Sequence, residues 1–171
     1  PILRGDVVSM AAHSPEAWDI DTDLLLQSFA RTARSAGAQI LTGAPVTAIQ
    51  RAGGRWQLTT PQGDVGAAVL VNAAGAWVDL LAQMAGVASL GFTPLRRSMA
   101  RIPAPAAMDV SGWPMIFGAG EAWYAKPDAG ALIVSPADED LCEPHDAWAD
   151  DMVLAEGLSR LHNVDIQYHA C

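Results

Sequence analysis

Residues 69–86 read VLVNAAGAWVDLLAQMAG, and no other stretch constrains the chain as much. An apolar run, Val69-Leu70-Val71, stops at Asn72-Ala73-Ala74-Gly75, and an amphipathic helical pattern begins at once. The run has the length of a buried strand, and the helix expected after it covers about residues 78–85. Three residues as small as Ala-Ala-Gly at such a junction let the backbone come close to another strand or to a flat ligand. The rest of the chain has to distinguish these two uses.

Before the junction, Asp19-Ile20-Asp21-Thr22-Asp23 offers several helix N-caps. Leu25, Leu26, Phe29, Ala30 and Ala33 then repeat at helical spacing, with Arg31 and Arg34 toward the C-terminal end and Gly37 as the stop. Strands are expected at 39–41, 46–49, 56–60 and 67–71, with Gly53-Gly54 as a hairpin turn and residues 61–64 as a second turn. Beyond the junction, residues 92–102 read as a long strand interrupted by Pro94, and 103–112 as a Pro/Ala connector. Short strands are expected at 115–117, 122–126 and 131–135, with a hairpin turn at 127–130. A charged loop at 137–146 precedes a helix over about 147–162, capped by Asp146, with Trp148, Met152, Leu158 and Leu161 on one face. A last strand falls at 165–168. Strand following strand with helices at the flanks predicts an α+β fold, a mixed, largely antiparallel sheet with flanking helices, divided into regions 1–90 and 91–171.

Composition narrows the function classes. Of 171 residues, 51% are hydrophobic and only 17% charged, which suits a globular chain. The net charge of −9 speaks against a nucleic-acid surface, which needs a basic patch. No apolar run is long enough for a spanning helix. Cys142 and Cys171 cannot form a disulfide framework and lack metal-ligand spacing, which fits a reducing cytoplasm. The acidic group Asp138, Glu139, Asp140, Glu143, His145 and Asp146 lacks the glycine and spacing of a calcium loop, so no metal site is expected. Ser14-Pro15 and Ser135-Pro136 are turns, and His13, His162 and His169 stand alone. The chain opens on Pro1 and closes on a strand-like run, as expected of a segment of a longer protein.

Several stretches together resemble the D-amino-acid oxidase/glycine oxidase family of FAD-dependent oxidoreductases. They are Asp19-Ile20-Asp21 before a helix, SAGAQILTGAPVTAIQ (35–50), the run 53–86 that contains the junction, TPLRRSMA (93–100) and WYAKPDAGALIVSP (123–136). Val-Asn-Ala-Ala-Gly-Ala-Trp at the end of a strand is the most specific of them, and the series spans roughly residues 19–136. The resemblance implies that region 1–90 is part of an FAD-binding region and 91–171 a substrate-domain sheet with its helix. It implies that Ala73, Ala74 and Gly75 lie against FAD and that the backbone at Val46 reads the adenine edge. From the residues alone, the first three serve equally well as tight strand-to-helix packing, and Val46 is a core valine. The family's Gly-x-Gly-x-x-Gly turn opening a helix is absent, since Gly118-Ala119-Gly120 leads into a strand-like segment.

In such enzymes hydride passes from the substrate's α-carbon to the flavin, and the imine formed is then hydrolysed. Tyr124 matches a position where an aromatic hydroxyl lines the substrate site; otherwise it is a half-buried strand tyrosine with its hydroxyl in water. Arg96 and Arg97 follow Pro94, and adjacent strand residues point to opposite faces, so at most one of them, taken as Arg97, reaches a pocket. The implied parent oxidises a small amine or amino acid, and this portion alone is expected to be inactive, with weak or no FAD binding. The alternatives are a flavoenzyme acting on 2-hydroxy acids or glycerol phosphate, or a non-catalytic binding or assembly module that kept the sheet. Exposed strand edges at 69–71 and 165–168 predict self-association.

Overall fold

The computed structural model describes residues 3, 5–104 and 108–164, the side chains of 161–164 excepted. The chain forms two compact units, one of His13–Phe92 and one of Pro1–Ala12 with Thr93–Cys171. Among the described residues all strand pairs are antiparallel and helices flank them, the α+β class expected from the sequence.

In the His13–Phe92 unit, helix α1 (Thr22–Ser35) starts at Asp21, whose Oδ1 accepts from the Leu24 amide at 2.8 Å. It ends in a Schellman motif. The amides of Ala38 and Gly37 donate to the carbonyls of Ala33 and Arg34, each at 3.0 Å, and Gly37 takes φ +87°. Strands β1 (Ala48–Ala52), β2 (Arg55–Thr60) and β3 (Gly63–Ala67) form the meander. Gly53 and Gly54 both have positive φ, as a two-residue hairpin with the right twist requires. Arg51 stacks over its cross-strand partner Trp56 at 5.2 Å, and Ile49 is the buried residue of β1.

Three expectations for this unit need correction. Residues 39–41 form no strand, and β1 begins at Ala48 rather than at Val46. The third strand ends at Ala67, so residues 69–71 run on without a strand partner among the described residues, Val69 and Val71 being 75% and 78% exposed. A continuous apolar run becomes a buried strand only when neighbours cover both of its faces.

The other unit is built on a four-stranded sheet in the order β5-β8-β7-β6, from β5 (Ala100–Pro103), β6 (Ile116–Phe117), β7 (Tyr124–Asp128) and β8 (Ala131–Ser135). One face carries Ala125, Leu132 and Val134, which pack with Val110 and Trp123 into the core. The segment 92–102 is not one long strand. It gives β4 (Leu95–Arg96), paired with β9 (Asp140–Leu141), and then β5. Helix α3 (Asp151–Val164) starts later than expected, and Asp150 rather than Asp146 caps it, accepting from Met152 and Val153 at 2.9 and 3.2 Å. The strand expected at 165–168 lies outside the described residues.

Two contacts in this unit give testable energetics. The β7–β8 turn is Ala129-Gly130, both with positive φ, and Arg101 clamps it through Asp128 Oδ2 at 2.7 Å and the Asp128 and Ala129 carbonyls. A left-handed alanine costs about 1–2 kcal/mol, so Ala129→Gly should raise stability by about 1 kcal/mol and Tm by about 2–4 °C, measured by thermal melts. Gly157 of α3 is buried where an added Cβ would lie 2.6 Å from Pro136 Cβ. Gly157→Ala should therefore lose about 1–3 kcal/mol by urea denaturation, despite its better helix propensity.

Candidate functional site

The small-residue junction is the first candidate. The single turn of 3-10 helix Gly75–Trp77 leads into helix α2 (Val78–Met84), and the Trp77 amide donates to the Ala74 carbonyl at 3.0 Å. Asn72 spans the turn: its Nδ2 donates to the Val78 carbonyl at 2.8 Å, and its Oδ1 accepts from the Ala74 amide at 3.3 Å. Gly75 has φ +55°, a conformation that disfavours a side chain, and a Cβ built there meets nothing within 4 Å. Ala73 is exposed and Ala74 half-buried. The junction is thus a braced, side-chain-poor stretch of backbone with open space beside it.

Asp79 braces the same helix from its first turn, accepting from Ser89 Oγ at 2.6 Å through Oδ2. Its Oδ1 is enclosed without a hydrogen-bond partner among the described residues. Val46 belongs to the same unit. It is half-buried and sits just before Thr47, whose amide donates to the Thr59 carbonyl at 2.9 Å and leads the chain into β1.

Tyr124 and Arg97 fall in the other unit. Tyr124 lies on β7 between Phe117 of β6 and Ser135 of β8, on the face opposite Ala125. Its ring is tilted 48° to that of Phe117, with centroids 6.1 Å apart, and the pair forms the aromatic part of that sheet face. Gly118, the first glycine of Gly-Ala-Gly, has its own purpose. The buried Trp123 indole lies against it so closely that a Cβ would overlap the ring, and the Gly118 amide donates to the Trp123 carbonyl at 2.9 Å. That Gly-x-Gly is a packing device, and among the described residues no glycine-rich turn opens a helix.

Arg97 is engaged. Its Nη2 meets Glu139 Oε1 at 2.6 Å, Arg96 Nη2 meets Asp140 Oδ2 at 2.8 Å, and both Ser98 N and Ser98 Oγ donate to Asp138 at 2.7 Å. Arg-Arg-Ser and Asp-Glu-Asp thus zip together in antiparallel order. Ser98 and the Asp138 side chain are both nearly enclosed, at 2% and 6% exposure. Arg96 Nε, also buried, faces Asp138 Oδ2 at 3.8 Å, too far for a hydrogen bond. The acidic run expected to feed a helix N-terminus spends its first three charges here. No His/Cys/Asp/Glu cluster with metal-binding geometry occurs among the described residues.

Asn72 and Asp138 are the two positioning residues that residue type alone did not single out. The signal for Asp138 was present as two three-residue runs of complementary character. Asp138→Ala leaves the buried Ser98 amide and hydroxyl without their acceptor and removes the carboxylate charge beside Arg96, so it should cost about 2–4 kcal/mol by urea denaturation. Glu139→Ala, at the exposed pair, should cost under about 1 kcal/mol in the same assay.

The FAD dependent oxidoreductase (DAO) family model matches residues 1–168. Human dimethylglycine dehydrogenase, a mitochondrial protein, is 36% identical over 88 residues, 51% of this chain and 10% of its own length. The rat protein of the same name matches over the same shares. L-proline dehydrogenase from P. horikoshii shares the fold at a TM-score of 0.65 and 21% identity, over 84% of this chain and 39% of that one. The chain therefore spans about a tenth of the curated relatives it matches and about two fifths of the solved structure. With the match extending over nearly all of its length, the chain belongs to the FAD-dependent oxidoreductase family known as DAO.

Proposed function

We propose that this chain is part of an FAD-dependent enzyme that oxidises a small amine or amino acid at the carbon next to nitrogen. The observation that carries the proposal is the open, braced backbone at Ala73, Ala74 and Gly75 in a chain of this family. The residues fit a flat ring system. They offer backbone without side chains, and Asn72 holds the turn in shape so that no reorganisation is needed on binding. Ala73, Ala74 and Gly75 would hold FAD along one edge, and the backbone at Val46 would meet its adenine.

Held along Ala73, Ala74 and Gly75, FAD would supply the two-electron acceptor for oxidation of a substrate at the carbon next to nitrogen. The chain's own residues orient and enclose the substrate. Tyr124 offers a hydroxyl and a ring face beside Phe117. Arg97 can serve a substrate carboxylate only by giving up Glu139, so Tyr124 carries the substrate contact in this proposal. The 171 residues by themselves are proposed to be inactive and to hold FAD weakly, because no described glycine-rich turn opens a helix to take the pyrophosphate. No described helix is long and apolar enough to cross a membrane. A reducing compartment fits the cysteine usage, and the cytoplasm is proposed, although the mammalian relatives are named as mitochondrial.

The test uses a longer protein that contains this chain, loaded with FAD. Anaerobic addition of small secondary or tertiary amino acids should bleach the flavin's visible band, and glycerol phosphate or 2-hydroxy acids should not. Bleaching by the hydroxy acids alone would overturn the substrate class. In the same protein, Gly75→Val should lower flavin occupancy, and Tyr124→Phe should lower kcat/KM by about 10- to 100-fold with occupancy unchanged.

A further inference from the structure

Helix α2 is too short to hold itself in place. Its seven residues make about two turns, and none of them is buried. Hydrogen bonds at both ends fix it instead. At its C-terminal end a Schellman motif reverses the chain. The Val87 amide donates to the Ala82 carbonyl at 2.9 Å, the Gly86 amide donates to the Gln83 carbonyl at 3.0 Å, and Gly86 takes φ +66°. The reversal carries the chain back toward the first turn of the helix it has just left, where the Ser89 hydroxyl donates to Asp79 Oδ2 at 2.6 Å. Ser89 Oγ also accepts from the Gly91 amide at 3.1 Å, and Gly91 takes φ +78°, so a turn aims the hydroxyl.

The start of α2 is therefore tied from two directions. Asn72, before the junction, donates to the Val78 carbonyl, and Ser89, after the helix, donates to Asp79, the next residue. Only the single turn Gly75–Trp77 separates these ties from the open backbone at Ala73, Ala74 and Gly75. Releasing either tie frees the first turn of α2 to shift, and Gly75 shifts with it. Asp79 also carries a cost, because its Oδ1 is enclosed without a hydrogen-bond partner among the described residues. The other oxygen offsets part of that cost through a short, charge-assisted bond. A group kept at the expense of stability marks a position that serves geometry.

We infer that Asp79 and Ser89 are positioning residues for the cofactor, whose hydrogen bond fixes the junction backbone and so sets how tightly FAD is held. The inference rests on the reading that FAD lies along Ala73, Ala74 and Gly75. Neither side chain needs to touch the cofactor, since both act through the start of α2. The loop that follows this helix thereby governs a binding surface that precedes it.

The FAD dissociation constant of the longer protein that contains this chain tests the assignment. It is read as quenching of FAD fluorescence when cofactor is added to the apoprotein, with circular dichroism of each variant to confirm folding. Asp79→Ala and Ser89→Ala should each raise the dissociation constant by about five- to twentyfold. The double variant should lose no more than either single one, because both remove the same hydrogen bond. Asp79→Asn keeps an acceptor and Ser89→Thr keeps a donor, so both should stay within about twofold of the unsubstituted protein. Additive losses in the double variant, or an Asp79→Asn as damaging as Asp79→Ala, would overturn the proposal. Unchanged affinity in both alanine variants would overturn it alone, provided that Gly75→Val still lowers flavin occupancy. If Gly75→Val leaves occupancy unchanged as well, the junction is not the flavin site and both readings fail together.

Discussion

The buried contact between Asp138 and Ser98 holds the described strands from β4 to β9 in register. Two hydrogen bonds from one serine satisfy a carboxylate that is almost fully enclosed, and the two arginines before that serine meet the next two acids. Enclosing a charge is unfavourable unless it is paired and hydrogen-bonded, so this cluster forms as a unit or not at all. Its position explains its reach. Ser98 leads into β5, and Asp138 follows the end of β8 by three residues, so the contact ties together the entrance and exit of the paired strands β5 and β8. Ala137 adopts φ +55° to turn the chain toward it, and the buried Ser135 hydroxyl accepts from the Ala137 amide at 3.1 Å. One residue earlier, Pro136 forms the platform against which Gly157 of α3 sits.

Both units use the absence of a side chain as a structural tool, in opposite ways. At Gly118 and Gly157 the missing Cβ is replaced by protein, an indole ring in one case and a proline in the other. At Gly75 it is replaced by nothing described, while Asn72 and Asp79 spend hydrogen bonds on fixing the surrounding backbone. Fixing a turn in a conformation with open space beside it costs conformational entropy without the return of packing. That imbalance supports the proposal of a ligand at the junction, whereas the other two glycines are explained by the fold itself.

Much of the secondary structure was legible because its causes are local. Asp21 as the cap of α1, Gly37 as its end, the Gly53-Gly54 hairpin and the strand 131–135 all depend on residues within a few positions of one another. The failures share a different cause. Residues 39–41 and 69–71 have strand composition, but a strand exists only through its partner, and composition cannot state whether a partner is there. The division of 92–102 into two short strands depends on Asp140 and Leu141, more than 40 residues away. Asp146 and Asp150 are equally good caps on composition, and the helix start chose between them.

The sequence by itself determined the α+β class, the order of most elements and the small-residue junction with its family resemblance. Hydrophobic period, turn chemistry and short motifs express these directly. Tertiary structure alone decided that Arg96, Arg97 and Ser98 meet Asp140, Glu139 and Asp138, and that Asn72 is the brace of the junction. Such facts depend on which distant segments are brought within hydrogen-bonding or van der Waals reach. That is set by the packing of whole elements, and no local pattern of residues encodes it.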